Sequence, residues 1–240
     1  MRSSIARGIA IFCLLGSTGA HAASLRVAPT SLDLVAPDSA TTLTLRNEDT
    51  HSIDVQIRIF RWSQVDGVER LEPTTDVVAS PPFTRLAPNS DYVVRVVRAT
   101  KVPVVGEESY RLLADELPDP LRRRPGAVNF VLRYSIPVFF TSPDASSPEV
   151  SWTLQPGGNA FVLTAKNTGA RHLRIADLKL SDGGNTVANR AGLVGYVLGG
   201  AAMRWPLPSS GTSVSGRSIT LSAKSDLGGV NAAVSIRPRN

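Results

Sequence analysis

Short stretches of β-forming residues recur along this chain about every ten residues, and turn-forming residues separate them. Between residues 25 and 140 the candidate strands lie at 32–34, 40–47, 53–62, 76–79, 92–98, 107–116 and 129–140. Asp66-Gly67, Pro81-Pro82 and Pro88-Asn89 are among the turn signals between them. Short strands with such breaks predict an immunoglobulin-like β-sandwich for this part of the chain.

A second β-rich unit follows a stretch whose composition is typical of a linker. Residues 141–148 (TSPDASSP) are rich in Pro, Ser and Asp, and we place the linker at residues 142–148. Further candidate strands lie at 150–154, 160–167, 175–181, 201–207, 217–223 and 231–236. Residues 186–199 are ambiguous, and a short helix is possible there. The predicted fold class is all-β, with two immunoglobulin-like β-sandwich domains in tandem at residues 23–141 and 149–240.

The N-terminal segment has the three parts of a secretory signal. Arg2 and Arg7 supply the basic part, residues 9–15 the apolar part, and Ala20-His21-Ala22 a cleavage motif. The apolar run is far shorter than the ~20 residues that a spanning helix needs, and no later stretch is long and apolar enough. We therefore expect residues 1–22 to be a cleaved signal and the exported chain to have no stable membrane insertion.

The cysteine content and the charge exclude further classes of protein. Cys13 is the one cysteine and lies within the predicted signal, so the exported chain would form no disulfide and bind no metal through thiolates. No cofactor is expected. The formal charge of +6 could suit nucleic acid, but the dense run Arg122-Arg123-Arg124 lacks interleaved aromatic residues that could stack on bases. We expect no nucleic-acid partner.

Catalytic patterns are missing from the sequence. Outside the signal the histidines are His51 and His172, and no HExxH or G-x-S-x-G motif occurs. Both histidines lie among turn-like polar residues, which predicts ordinary surface roles. Asp115 and Glu116 are adjacent and would point to opposite faces of a strand, so they cannot act as a pair. The sequence favours a binding protein over an enzyme.

Residues 128–140 carry a long alternating pattern. Its apolar stripe has a period of two and consists of Val128, Phe130, Leu132, Tyr134, Ile136, Val138 and Phe140. A buried core strand explains such a stripe, but the segment is longer than the usual strand of ~5–6 residues. We therefore expect part of the stripe to extend beyond its own domain. Pro137, which has no N–H to donate, is compatible with an edge strand.

Five pieces of the first domain resemble, in order and spacing, the periplasmic pilus-assembly chaperones of the PapD-like type. They are SLRVAP at 24–29, LTLRN at 43–47, SPPFTRLAPN at 80–89 leading into VVRV at 93–96, ESYRLLADELP at 108–118, and SIPVFF at 135–140. Only the β-rich character agrees in the second domain. The pattern is most similar to the archaic, spore-coat-U-associated branch.

The resemblance implies a function without catalysis. Members of that family bind a fimbrial subunit whose fold lacks its last strand, and they insert a strand of their own into the gap. Val128, Phe130 and Leu132 match the family's inserting residues, and Tyr134 follows them on the same stripe. The implied partners are fimbrial or pilus subunits and an outer-membrane usher, and the implied location is the periplasm.

One part of the family pattern is missing here. In the best-known branch a basic pair anchors the subunit's C-terminal carboxylate, but the corresponding positions hold Ser31 and Pro137. The remaining candidates are Arg95, Arg111 and Arg133, because a guanidinium can bind a carboxylate through two hydrogen bonds. A surface or cross-strand salt bridge is the alternative role for each of them.

A second hypothesis is an exported sandwich module that binds carbohydrate or a cell surface. Such a site needs aromatic platforms on exposed loops, whereas the aromatic residues here lie mostly within candidate strands. This distribution favours the chaperone.

Overall fold

The structure is a computed structural model that describes residues 25–118, 131–157, 160–210 and 219–237. Within these ranges the chain forms seventeen β-strands. None of the described residues forms a helix long and apolar enough to cross a membrane. The signal predicted at residues 1–22 lies outside the described residues.

The first ten strands build two facing sheets. They are β1 (Leu25–Ala28), β2 (Leu32–Val35), β3 (Ala40–Asn47), β4 (Ile53–Val65), β5 (Val68–Pro73), β6 (Val77–Ser80), β7 (Phe83–Leu86), β8 (Asp91–Arg98), β9 (Glu107–Leu117) and β10 (Arg133–Thr141). The four-stranded sheet has the order β1-β3-β8-β6. The six-stranded sheet has the order β2-β10-β9-β4-β5, with β7 beside β4.

Apolar and polar residues alternate along these strands, so the apolar faces of the two sheets pack against each other as a sandwich. Leu43 on β3 and Val94 and Val96 on β8 are fully buried, whereas Val93 and Arg95, which alternate with them along β8, point outward. The six-stranded sheet contributes to the same core Ile57, Tyr110, Leu112, Ala114, Ile136, Val138 and Phe140. Each large apolar side chain buried in this way stabilises the fold by about 1.5–3 kcal/mol.

The remaining strands form the second domain as one seven-stranded sheet. They are β11 (Val150–Gly157), β12 (Ala160–Asn167), β13 (Leu173–Asp182), β14 (Asn185–Val197), β15 (Ala202–Pro208), β16 (Ile219–Ser225) and β17 (Gly228–Ile236). Their order is β14-β13-β16-β17-β11-β12-β15. The sheet curves around its own core, in which Trp152, Leu163, Ile175 and Trp205 are buried. The all-β fold class with two tandem sandwich domains is confirmed.

The sequence left a short helix possible at residues 186–199, and this possibility is wrong, because residues 185–197 form strand β14. Val187 and Val194 on this strand are buried. The pairing of β14 with β13 shifts register beside Ala176, and Gly192 has a φ of 71°. These irregularities interrupt the period of two, so the sequence did not show a plain strand pattern.

A buried asparagine in each domain has the same structural role. Asn47 ends β3 and Asn167 ends β12, and in each case Oδ1 accepts from the backbone N–H two residues later. The Nδ2 groups donate to the carbonyls of His51, Leu86 and Ala87 in the first domain and of Arg171, Val197 and Leu198 in the second. Each side chain therefore closes the turn that follows its strand.

Candidate functional site

Strand β10 leaves half of one edge unpaired. On one side it pairs with β9 along its whole length, from Arg133 opposite Asp115 to Thr141 opposite Glu107. On the other side β2 runs parallel to it and pairs only with residues 138–141. Among the described strands none pairs with residues 133–137 on that side. Backbone groups there can accept an added strand.

The apolar stripe of β10 faces the core of its own domain. Its fully core-facing side chains are Ile136, Val138 and Phe140. Leu132 and Tyr134 are partly buried against the same core, and the Tyr134 hydroxyl donates to the Leu25 carbonyl oxygen over 2.6 Å. Val128 and Phe130 lie outside the described residues. Of the four residues predicted to form the donor segment, the structure therefore describes Leu132 and Tyr134.

An open pocket of about 270 Å³ lies at the start of β10, lined by residues of β4 and β9 and by Val131, Leu132 and Arg133. The Leu132 carbonyl accepts from the Glu116 N–H over 2.9 Å, and the Leu132 N–H donates to Glu116 Oε2 over 3.3 Å. Strand β9 ends one residue later, at Leu117. Leu132 therefore marks the end of the paired part of this strand.

Arg133 is engaged in a salt bridge within its own sheet. Its Nε donates to Asp115 Oδ1, and Arg58 Nη2 donates to Asp115 Oδ2 over 2.6 Å. Burial opposes the ionised form of Asp115, but the hydrogen bonds from Arg133 and Arg58 outweigh burial and lower the pKa of this carboxyl. This is the cross-strand role that the sequence left open for Arg133.

Arg111 lies between aromatic rings that belong to the two domains. Its guanidinium carbon is 3.7 Å from the centroid of the Trp62 ring and 5.2 Å from that of the Tyr196 ring. Nη2 is 3.6 Å from Glu69 Oε1. Burial lowers the pKa of Arg111, and Glu69 acts in the opposite direction. A guanidinium stays charged in this setting, so the junction of the domains carries a fixed, largely buried cation.

The sheet register puts Arg111 where the sequence pattern lacks a basic residue. Arg111 lies directly opposite Pro137, and Ser31 precedes Leu32, which pairs with Val138. Side chains opposite each other on neighbouring strands share a face, with Cβ atoms ~4.5–5.5 Å apart. Ser31, Pro137 and Arg111 therefore form one row across neighbouring strands, and Arg111 supplies the positive charge in this row.

Arg95 lies on the opposite side of the first sandwich. It is exposed on the outer face of the four-stranded sheet, opposite Thr42 on β3 and Ser80 on β6. Arg111 and Arg133 share the outer face of the six-stranded sheet, because Tyr110 and Tyr134 beside them turn toward the core. The structure thus brings Arg111 and Arg133 to one face and separates Arg95 from both.

Sequence reasoning missed the residues that join the two domains. Trp62, Phe139, Tyr196 and Leu198 form a separate buried cluster there. The surface role predicted for His172 is wrong, because its side chain is only 7% exposed and packs between the domains. No signal in the local sequence could have shown this, since the environment of His172 is supplied by strands distant in the chain.

Comparison with known proteins identifies the family. The family described as pili and flagellar-assembly chaperone, PapD N-terminal domain, matches residues 24–146. The chain therefore belongs to the pili and flagellar-assembly chaperones. A comparison with curated proteins gives no match.

Solved structures share the whole two-domain fold. A chain of the CsuC–CsuE chaperone–tip adhesion subunit pre-assembly complex from the archaic chaperone-usher Csu pili of Acinetobacter baumannii is 24% identical, with a TM-score of 0.69 over 90% of this chain and 100% of that one. The YadV chaperone is 16% identical, with a TM-score of 0.63 over 88% and 100%. The structure of SafA pilin with the SafB chaperone from Salmonella enterica gives 19% identity and a TM-score of 0.60 over 88% and 96%. These likenesses establish the fold.

Proposed function

We propose that the protein is a periplasmic chaperone that binds, folds and caps fimbrial subunits by donor-strand complementation and delivers them to an outer-membrane usher. The observation that carries the proposal is the half-open edge of β10 at residues 133–137. A subunit strand that pairs there extends the six-stranded sheet, and its backbone groups gain hydrogen bonds that an incomplete fold lacks. The proposal assigns residues 23–141 to the chaperone domain, 142–148 to the linker and 149–240 to the second domain.

The donor side chains in this proposal are Val128, Phe130, Leu132 and Tyr134. They alternate in sequence, so they share one face of an extended segment. Tyr134 is tied to Leu25 by its hydroxyl and therefore marks the inner limit of the segment. Each of the three outer side chains, once buried in a subunit groove, would stabilise the complex by about 1.5–3 kcal/mol before the cost of association.

Arg111 is the strongest of the three anchor candidates for a subunit's C-terminal carboxylate. It lies in the same row as Ser31 and Pro137, and its charge is held in a poorly hydrated place where an ion pair is strong. Arg133 already donates a hydrogen bond to Asp115, whereas Arg111 Nη2 and Glu69 Oε1 are 3.6 Å apart. Arg95 lies on the far side of the sandwich from the open edge of β10.

The hypothesis of a carbohydrate-binding module gains no support from the positions of the aromatic residues. The buried ones among the described residues are Trp62, Tyr110, Phe139, Phe140, Trp152, Phe161, Tyr196 and Trp205. A sugar platform needs exposed rings that lie close together. Among the residues that the structure describes, the exposed large rings are Phe83 on β7 and Tyr92 on β8, and their strands belong to different sheets.

Co-production with the fimbrial subunits encoded next to its gene tests the proposal. We expect a one-to-one complex that survives purification, with the subunit protected from proteolysis. Phe130→Glu and Leu132→Glu should abolish that complex, because each places a charge in the apolar groove of the subunit.

The matched control is Val131→Glu, which adds the same charge at the neighbouring position. Val131 is 49% exposed, and its side chain points to the other face of an extended segment. Val131→Glu should leave the complex intact. A complex that tolerates Glu at both 130 and 132 would show that another strand is the donor, and the lack of any complex with every neighbouring subunit would refute the chaperone function.

A further inference from the structure

His172 links the two domains through charged hydrogen bonds. It lies in the second domain, just before β13, and its Nδ1 is 2.9 Å from both Oε1 and Oε2 of Glu107 on β9 of the first domain. The backbone N–H of His172 donates to Glu107 Oε1, also over 2.9 Å. On its other side Nε2 is 3.6 Å from Asp226 Oδ2, in the turn between β16 and β17. The ring therefore lies between two carboxylates.

Packing holds the His172 ring in one orientation. The ring stacks on Phe139 of β10 with centroids 3.6 Å apart and planes 10° apart, and Tyr196 of β14 lies 5.8 Å away. The Glu107 side chain is only 2% exposed, and it also accepts from the Thr141 hydroxyl over 3.2 Å. A carboxylate so far removed from water is stable only while charged or strongly polar donors face it.

The other charged groups around His172 leave the two carboxylates as its main partners. Glu107 comes from β9 and Asp226 from the turn before β17. Arg174 on β13 hydrogen-bonds the Tyr196 hydroxyl rather than the imidazole. Arg111 of β9 faces Tyr196 and Trp62. Arg171 is the preceding residue, and its backbone N–H donates to the Ser146 carbonyl.

His172 consequently keeps its proton to a higher pH than an ordinary histidine does. Burial alone would lower the pKa of His172, but the interactions with Asp226 and Glu107 together outweigh burial and raise the pKa from 6.5 to about 9. The pairing likewise lowers the pKa of Asp226. An imidazole ordinarily changes its charge near neutral pH, and neighbouring carboxylates move that change to a higher pH.

We propose that His172 is a pH-responsive latch between the two domains: the imidazolium, held by Asp226 of its own domain, fixes the inter-domain angle through Glu107 of the first domain, and loss of its proton loosens that angle. Deprotonation replaces the cation beside Glu107 with a neutral ring, and the bridge to Asp226 loses its attraction. The latch is a property of the joint alone, so it does not depend on the proposed chaperone function. Its full strength is present below about pH 6.5 and is lost as the pH rises through about 9.

The inter-domain distance tests the latch directly. Nitroxide labels on Val93→Cys and Leu193→Cys, both exposed and in different domains, report this distance by pulsed electron paramagnetic resonance in a Cys13→Ser chain. We expect one narrow distance distribution at about pH 6 and a broadened or shifted one at about pH 10, where the imidazole is neutral. His172→Gln should give the broad distribution at both pH values, and His172→Arg, which stays charged, the narrow one at both.

Two results of the distance measurement would overturn the proposal. One is a wild-type distribution that is the same at both pH values, and the other is a pH effect of equal size in His172→Gln. Because His172→Arg replaces the ring that stacks on Phe139, a nuclear magnetic resonance titration of the unlabelled protein gives a second test. The His172 ring should titrate near 9, and Glu107→Gln should lower that midpoint by one pH unit or more. A midpoint at or below 6.5 in the wild type would contradict the latch.

Discussion

The guanidinium of Arg111 stacks 3.7 Å above the indole ring of Trp62, and the Tyr196 ring of the second domain lies 5.2 Å from the same guanidinium. Trp62 and Arg111 belong to the neighbouring strands β4 and β9, whereas Tyr196 belongs to β14. One cation therefore contacts both domains. A negatively charged group that enters this junction would meet a charge already oriented by two rings, with little conformational entropy left to lose.

Replacement of Arg111 tests its role as the carboxylate anchor. Arg111→Ala should weaken capture of a fimbrial subunit at least tenfold, because no other cation lies in the row of Ser31 and Pro137 among the described residues. The measurement is the dissociation constant of the purified complex. Arg95→Ala is the control and should bind as the wild type does. Equal weakening by the two variants would remove Arg111 from the site.

Tyr134→Phe tests the hydroxyl bond that ties β10 to β1. Loss of the bond to the Leu25 carbonyl should lower the free energy of unfolding by about 1 kcal/mol, while the aromatic ring keeps its packing. Urea denaturation measures this change. Tyr92→Phe, at the exposed end of β8, is the control and should lie within ~0.5 kcal/mol of the wild type. Equal stability of both variants would mean that Tyr134 does not fix β1.

The paired asparagines should be among the most sensitive positions of the chain. Asn47→Ala and Asn167→Ala each leave several carbonyls without a donor, together with one N–H at Asn47 and two at Asn167, which should cost about 3 kcal/mol. Differential scanning calorimetry of each variant should show loss of stability. Asn185→Ala at the exposed start of β14 serves as the control and should unfold as the wild type does. A neutral effect at Asn47 or Asn167 would mean that water replaces the amide.

Overall stability should depend on pH through His172. Its pKa is raised from 6.5 to about 9 in the folded protein, so the stabilisation is full below 6.5 and declines to zero as the pH rises through 9. The contribution that disappears is about 3 kcal/mol at most, because each pKa unit corresponds to ~1.4 kcal/mol. Unfolding curves at a series of pH values should show this decline, and His172→Gln should remove it. A decline that persists in His172→Gln would place its origin in another group.

Strands with one core-facing side could be predicted from the sequence, and strands without one could not. Residues 132–140 alternate between apolar and polar because one face of the strand meets the core. Strand β10 therefore lies within the segment that the alternating pattern predicted. Every residue of β5 is exposed, so its sequence VERLEP carries no alternation, and only the pairing with β4 makes it a strand. Strand β7 was missed for a related reason, since it is short and follows Pro81-Pro82.

The anchor candidates show what a single sequence leaves undecided. Arg95, Arg111 and Arg133 all lie on strands, but which sheet and face each occupies depends on how the strands are ordered in space. The burial of Arg111 and His172 is created by Trp62, Phe139 and Tyr196, which come from three different strands. Such an environment has no local sequence signature.

The Gln64 side chain gives the joint between the domains a fixed point. Its Nε2 donates to the Tyr196 carbonyl and its Oε1 accepts from the Leu198 N–H, both over 2.9 Å, so one amide spans two backbone groups of the other domain. An amide does not titrate, and these two bonds therefore persist when His172 loses its proton. We therefore expect the domains to stay joined at Gln64 when the contact at His172 loosens.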